Sequence, residues 1–333
     1  MFWPGKLKEE KGTILTLVGV SLFFLMSLYA LVVDLGHIFV TRAELQNAAD
    51  SAALASIVEL RNGISAARQK ALDFGQAHVV AGSLIGIAAS DILFGHYDLP
   101  TNQLQANINP TNAVQVTARR TEGAPSGPLG LFFARFFNQY FSNVQARSLA
   151  VLDPRVKGVH GKNRLLPYSA INFVVDQDLD GKYDLGNIIN IHPRSDAPGN
   201  FGFLDLDGGS NGVPELRQYI ENGYDKDFVI PPGGSVPVYG STGIDGYSLI
   251  SSFKAILGEE VFLPVHNWVH YEGSNAIFNV ISILAVKVLD VKLNGNMDQR
   301  YIKVKIINYA SSILVVDPKA PENNSVSKPR LVL

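Results

Sequence analysis

Residues 13–33 read TILTLVGVSLFFLMSLYALVV, a stretch of 21 residues without a charged side chain that ends at Asp34. A helix rises about 1.5 Å per residue, so this stretch can cross the roughly 30 Å hydrocarbon core of a bilayer. Two alternatives are a cleaved signal peptide, whose apolar core is about 7–15 residues long, and a buried core helix, which is usually shorter. The length of the stretch favours a retained transmembrane helix over both.

The charges on either side of this span predict its orientation. Three lysines stand before it, at positions 6, 8 and 11, and the first basic residue after it is Arg42. Basic residues beside a first span favour the cytoplasmic side of a membrane, and acidic residues have little influence. The sequence therefore predicts a cytoplasmic segment 1–12, a transmembrane helix 13–33 and a location outside the cytoplasm for the rest of the chain.

The span leads directly into a second helical segment, which we predict over residues 34–82. Residues 34–60 contain no proline and are rich in alanine, the strongest helix former. Small and apolar residues recur along one face at three- and four-residue steps: Ile38, Leu45, Ala49, Ala52 and Ser56. This stripe predicts close packing, either against the protein's own domain or against neighbouring copies in a filament or complex.

Residues 32–55 read VVDLGHIFVTRAELQNAADSAALA. An apolar span followed by this pattern resembles the Tad-type pilus-assembly proteins of the TadE/TadG-like group. The matching positions include Asp34, Gly36, Arg42 and most of the run from Leu45 to Ala55. A looser likeness to the same group continues further along the chain, at residues 94–98, 112–120, 131–135 and 199–205.

This resemblance implies a structural role at a bacterial envelope, as a pilin-like or minor-pilin component of a Tad-type pilus or related secretion apparatus. It implies a single-pass protein of the inner membrane whose C-terminal bulk is periplasmic or extracellular. The implied partners are membrane lipid and other pilus-assembly or pilin subunits. A membrane-tethered binding or adhesion protein that does not enter a pilus is the alternative.

Composition and motifs argue against an enzyme and against a nucleic-acid-binding protein. The formal net charge is −2, and the chain contains no cysteine. Nucleic-acid binding requires a basic surface, and the lack of cysteine excludes thiolate metal sites and cysteine catalysis. The sequence also has no HExxH zinc motif and no GxGxxG dinucleotide motif. We therefore expect no enzymatic activity and no small-molecule substrate.

The sequence beyond the long helix predicts two further domains. The predicted boundaries are an α+β domain at 83–153, a linker at 154–164, a β-rich domain at 165–317 and a polar tail at 318–333. Within the first of these domains we predict strands at 91–98, 112–120 and 143–153, and residues 113–118 partly alternate and are β-branched. The predicted fold class is α+β: a transmembrane helix that continues into a long pilin-like helix, a small α+β unit and a β-rich C-terminal domain.

A cluster of phenylalanines interrupts the strands of the small α+β unit. Residues 127–141 read GPLGLFFARFFNQYF and predict a short apolar helix. The cluster itself contains Phe132, Phe133, Phe136 and Phe137. Apolar side chains at this density predict core packing, and the alternative is a patch at a subunit interface.

Residues 176–184 read DQDLDGKYD, which has the spacing of a calcium loop. Its carboxylates occupy positions 1, 3, 5 and 9 of that loop: Asp176, Asp178, Asp180 and Asp184. Gly181 stands at position 6, where the turn is sharp, and Lys182 at position 7 would offer its backbone carbonyl. Position 12 is Asn187, not a bidentate glutamate, so the predicted affinity for Ca²⁺ is weak, roughly 10⁻⁴–10⁻³ M. The alternative is a solvated acidic turn, preceded by a predicted strand at 171–176.

Overall fold

A computed structural model describes residues 9–192, 202–209, 212–231, 234–241, 246–270, 276–296 and 299–332, with the backbone alone for residues 9–13. Residues 1–8 of the predicted cytoplasmic segment and residues 199–201 of the looser family likeness lie outside the described residues. The chain divides into two compact units. The first comprises Met1–Val151 with Leu331–Leu333, and the second comprises Leu152–Arg330.

The first unit begins with helix α1 (Glu9–Glu59) and helix α2 (Ile64–Gln76). Its strands follow in chain order: β1 (Val79–Val80), β2 (Ser83–Leu84), β3 (Ile92–Asp98), β4 (Gln103–Ala106), β5 (Ala113–Arg120), β6 (Leu129–Gly130), β7 (Phe141–Ser142) and β8 (Val144–Asp153). Short 3₁₀ turns occupy Leu60–Asn62, Ala89–Asp91 and Ala134–Phe137.

Helix α1 is 51 residues long and includes the whole predicted span. It ends shortly before Gly63, whose backbone angle φ is +101°. Residues with side chains rarely adopt that angle, so the glycine allows the chain to leave the helical path. The prediction of one helix over residues 34–82 is therefore wrong, because the helical path breaks at this point.

Helix α2 runs back beside α1. The hydroxyl of Ser56 donates to the carbonyl oxygen of Ala67 at 2.9 Å. Further along α2, Gly75 lies against Ala52, an earlier residue of α1. The two helices therefore form an antiparallel hairpin.

The alanine-rich stripe of α1 is the core of this first unit. Leu45, Ala49, Ala52 and Ser56 are fully buried, and Ile38 is half-buried. Helix α1 packs against both α2 and β5, and small side chains permit this close approach. Packing of the stripe against the protein's own domain is therefore confirmed.

Four strands of the first unit form an antiparallel array in the order β8-β5-β3-β4. In the middle of this array, Val116 of β5 pairs with Ile92 of β3 on one side and with Ser148 of β8 on the other. Val114, Val116 and Ala118 alternate along β5 and are buried. The strands predicted from alternating residues are therefore confirmed.

The phenylalanine cluster corrects two predictions. Residues 127–141 form β6, a 3₁₀ turn and β7 instead of one short helix. The turn ends at Asn138, which adopts a left-handed conformation with φ of +62°. Phe132, Phe136 and Phe137 are exposed, so their predicted core packing is wrong.

The second unit consists mainly of strands. Its helices are α3 (Asn172–Val175), α4 (Val213–Asn222) and α5 (Ile250–Ala255). Its strands are β9 (Val156–Val159), β10 (Ala170–Ile171), β11 (Ile188–Ile191), β12 (Leu204–Asp205), β13 (Phe228–Val229), β14 (Val236–Gly240), β15 (Glu260–His270), β16 (Ile277–Lys292), β17 (Tyr301–Ile306), β18 (Tyr309–Ala310), β19 (Leu314–Val316) and β20 (Val326–Val332).

The main sheet of this unit has the order β10-β15-β16-β14-β12, and β17 pairs with both β16 and β11. Strand β16 pairs with β15 along one edge and with β14 and then β17 along the other. A smaller sheet has the order β13-β9-β19. With α1 and the small first unit, this β-rich region confirms the predicted α+β fold class.

Three local predictions in the second unit are wrong. Residues 172–175 are the short helix α3, although a strand was predicted over 171–176. The predicted linker contains β9, which pairs with β13 and β19. The predicted polar tail contains β20, whose first residues pair with β18. In both strands backbone pairing outweighs a polar, glycine- or proline-containing sequence.

Candidate functional site

The predicted span is exposed along its length. Residues from Ile14 to Val32 include large apolar side chains that point outward on all sides of α1. The most apolar 18-residue window has a mean hydropathy of 2.3, and none of it is buried. Within the part of the chain that the structure describes, α1 is the one helix long and apolar enough to cross a membrane. Its exposure excludes the alternative of a buried core helix.

Asp34, the first charged residue after the span, is buried. Its carboxylate accepts hydrogen bonds from the backbone N–H groups of Phe132 at 2.8 Å, Phe133 at 3.0 Å and Ala134 at 2.6 Å. A buried charge is tolerated when hydrogen bonds replace its hydration. We call this arrangement the Asp34 clasp, because it ties the end of the span to the 3₁₀ turn about 100 residues later.

The acidic loop begins where α3 ends. The ligand-capable oxygens of three carboxylates lie within 4.8 Å of one another: those of Asp176, Asp178 and Asp180. Gly181 makes the sharp turn with φ of +83°, and its N–H donates to Asp176 Oδ2 at 3.2 Å. The spacing of the first three carboxylates therefore produces the cluster that a calcium loop requires.

Two further residues of the predicted loop lie elsewhere. Asp184 is not in this cluster, and its carboxylate accepts the N–H of Gln177 at 3.0 Å. The side chain of Lys182 is exposed, and its N–H donates to Asp180 Oδ1 at 2.8 Å. The structure thus brings together three of the four predicted carboxylates.

Asp176 differs from the other carboxylates of the loop in being 4% exposed. Its Oδ1 atom is buried and has no hydrogen-bond partner among the described residues. Asp176 also lines a cavity of about 440 Å³, together with Gly181, Tyr183 and Asn324. A buried carboxylate oxygen without a partner is unfavourable, and a bound cation would compensate for it.

Tyr183 stands beside this carboxylate. Burial raises the pKa of the Tyr183 phenol to about 12, and the nearby charge of Asp176 adds to that effect against an opposing hydrogen bond from Ser282. The phenol is therefore protonated at neutral pH and adds no negative charge to the cluster.

Sequence reasoning missed two features. The Asp34 clasp had one signal, a lone carboxylate placed directly after an apolar span. Residues 208–212 read GGSNG, which has the spacing of a G-x-S-x-G nucleophile motif. Ser210 itself lies outside the described residues.

Comparison with known proteins identifies the first unit. A family model described as "Putative Flp pilus-assembly TadE/G-like" matches residues 12–68, and one described as "Putative Tad-like Flp pilus-assembly" matches residues 41–150. No curated protein and no solved structure matches the chain. The matched residues run from the span through α1, α2 and the sheet of the first unit, and the likeness at residues 199–205 lies beyond them. Over residues 12–150, this chain matches the models of the Tad-type, TadE/G-like Flp pilus-assembly proteins.

Proposed function

We propose that this protein is a structural component of a Tad-type pilus or related secretion apparatus, anchored in the bacterial inner membrane by α1. The observation that carries the proposal is the continuity of α1. One unbroken helix is exposed and apolar over the span and then becomes the buried core of the family-matched unit. A signal peptide removed after the span would cut this helix next to the Asp34 clasp.

The proposed role is that of a pilin-like or minor-pilin subunit that contacts other subunits through α1. The alanine stripe is already covered by α2 and β5, so it offers no surface to a neighbour. The exposed apolar residues that remain beyond the span include Leu35, Phe39 and Val40. These side chains, with the span itself, form the surface through which other subunits would pack. We assign the protein no catalytic step.

Co-purification tests this role. Tagged full-length protein, solubilised from native membranes, should bring down other pilus subunits. Phe39→Ala combined with Val40→Ala should reduce their recovery at least fivefold. Asn47→Ala changes an exposed polar residue of the same helix and should leave recovery unchanged. Purification of the chain without pilus subunits would favour the tethered adhesion protein.

The proposed topology has its own test. The protein should stay in the membrane fraction after alkaline carbonate washing. That treatment releases proteins attached to the membrane by charge, whereas a spanning helix is held by its apolar side chains. Protease added to spheroplasts should degrade both units, since the lysines before the span favour a cytoplasmic N-terminus. Protection of the two units from protease would reverse the orientation.

We also propose that the acidic loop binds Ca²⁺. The support is the cluster of three carboxylates together with the unpartnered, buried Oδ1 atom of Asp176. Asp176, Asp178 and Asp180 would be ligands through side-chain oxygens, and the backbone carbonyl of Lys182 remains the fourth predicted ligand. Asp184 would act through a bridging water, as position 9 of such loops often does.

Calorimetry of the full-length protein tests calcium binding. The second unit should melt at a higher temperature in 10 mM Ca²⁺, roughly ten to a hundred times the predicted dissociation constant, than in EDTA. Asp178→Asn with Asp180→Asn should abolish this shift. Asp225→Asn removes an exposed carboxylate of the same unit outside the loop and should preserve it. An unchanged melting temperature at 10 mM Ca²⁺ would leave the loop as an acidic turn.

A further inference from the structure

The segment Leu131–Phe141, which we call the aromatic loop, extends along α1 toward the span. The side-chain amide of Gln46 in α1 donates to the carbonyl oxygen of Arg147 in β8 at 3.1 Å. The ring of His37 lies 4.9 Å from the ring of Phe132, and the clasp follows at Asp34. From residue 46 to residue 34 the helix axis advances about 18 Å. The loop therefore reaches from the sheet to the end of the apolar span.

The aromatic loop presents its rings outward from an ordered backbone. Phe136 is 78% exposed and Phe137 is 75% exposed. Further exposed rings are those of Phe132, Tyr140 and Phe141. The backbone below them is fixed by the Asp34 clasp and by pairing of β6 with β7. Exposed apolar rings grouped on one ordered loop form a surface patch, and such patches mark binding sites.

The position of this patch along α1 indicates what covers it. The hydrocarbon core ends near Val33, and the polar layer of a bilayer extends about 5–7 Å beyond it, or about four helical residues. The Asp34 clasp and the tilted ring contact between His37 and Phe132 lie at that depth. Tyr and Trp side chains are enriched at the membrane–water interface, and interfacial segments bury Phe side chains at the boundary between headgroups and acyl chains.

We propose that the aromatic loop inserts into the leaflet from which α1 emerges, with Phe136 and Phe137 reaching the upper acyl chains. The first unit then touches the bilayer at two points, the span and the loop. The occupant is lipid, because the loop is joined to α1 at Asp34 and His37, directly beyond the exposed apolar span. This inference rests on the span lying in a membrane, and it holds whether or not the protein enters a pilus.

The lack of cysteine in the chain permits a direct test. Phe137→Cys is labelled with an environment-sensitive fluorophore in full-length protein, reconstituted at one chain per lipid nanodisc. We expect blue-shifted emission, and at least a twofold loss of intensity when the lipids carry a nitroxide high on the acyl chain. Gln103→Cys is the matched control, because this exposed residue of β4 lies at the end of the sheet opposite to Val144. Its label should give neither effect.

A third label separates the possible failures. Leu25→Cys lies in the span, and its label should be quenched by nitroxide lipid. Quenching at position 25 without quenching at position 137 would overturn the inference and leave the anchor intact. Blue-shifted emission at position 137 without lipid quenching would also overturn it, because protein would then cover the loop. No quenching at position 25 would show that residues 13–33 do not lie in the bilayer, and it would overturn this inference as well.

Adding Asp34→Ala to the Phe137→Cys protein tests the clasp. Without its carboxylate the turn loses three backbone hydrogen bonds, so lipid quenching at position 137 should fall. Unchanged quenching would mean that the clasp does not hold the loop at its depth, contrary to the inference.

Discussion

Both halves of α1 carry an apolar surface, but that surface is exposed in the first half and buried in the second. Residues 14–33 carry large side chains, mostly Leu, Phe and Val, that are exposed on every side. Along residues 41–57 the inner face is completely buried, and half of its residues are alanine. Lipid accepts a helix that is bulky all round, whereas a neighbouring helix or sheet approaches closely only where side chains are small. The size of the apolar residues, more than their hydrophobicity, therefore distinguishes the exposed half of α1 from the half that packs against protein.

A pair of leucine truncations gives the largest predicted difference between these halves. Leu45→Ala should lower the free energy of unfolding of the first unit by about 2–5 kcal/mol, because it leaves a cavity in a closed core. Leu25→Ala should change that free energy by less than about 0.5 kcal/mol, since its side chain contacts no core. Denaturant unfolding in detergent micelles measures both. Equal losses would mean that the span also packs against protein.

Enlarging an alanine gives a smaller effect of the same kind. Ala52→Leu should destabilise the first unit by about 1–3 kcal/mol, because the additional methyl groups meet α2. Ala43→Leu enlarges an exposed alanine on the same helix and should be nearly neutral. The melting temperature of each variant is the measurement. If Ala52→Leu is also neutral, the stripe is less tightly packed than its burial indicates.

A substitution at Asp34, the junction between the two halves of α1, should have a smaller effect on stability. Asp34→Asn retains one acceptor oxygen and loses the charge, so the clasp should weaken by on the order of 1 kcal/mol. Hydrogen exchange at the amides of Phe132, Phe133 and Ala134 should accelerate. Asp73→Asn, at an exposed position of α2, should leave these amides unchanged. Equally slow exchange in the Asp34 variant would show that β6 and β7 hold the turn without the clasp.

Two glycines give the smallest predicted contrast. Gly36→Ala adds a methyl group where no atom lies within 4 Å, so it should stabilise the helix by about 0.5–1 kcal/mol. Gly75→Ala would place its methyl group against the side chain of Ile87. That side chain would have to move, so thermal unfolding should show no gain at this position. A gain at both glycines would indicate that α2 has room to shift away from Ile87.

The features that the sequence predicted correctly depend on local pattern. The span, the alanine stripe and strands β3, β5 and β8 each follow from residues close together in the chain. The exposure of Phe136 and Phe137 does not, because it depends on an interaction with Asp34 about 100 residues earlier. The local sequence of a phenylalanine cluster does not distinguish a cluster covered by protein from one covered by lipid.

The acidic loop shows that sequence spacing predicts a candidate site only in part. The spacing of Asp176, Asp178 and Asp180 correctly predicted that their carboxylates would converge. The position of Asp184 depends on its backbone contact with Val175 and on the N–H of Gln177, which spacing alone does not reveal. The burial of Asp176 likewise depends on the fold around it, including the segment at Asn324 that contacts Tyr183.

The Asp34 clasp also limits piston motion of the anchor. Sliding α1 inward by one turn, about 5.4 Å, would carry a charged carboxylate and its hydrogen-bonded turn into hydrocarbon. Sliding it outward by the same distance would bring leucine and valine residues of the span into the polar layer. Because the clasp joins α1 to the turn at residues 132–134, the anchor and the aromatic loop would move along the membrane normal as one body. Under the proposed insertion, extraction of this protein from the bilayer would remove the span and the aromatic loop together.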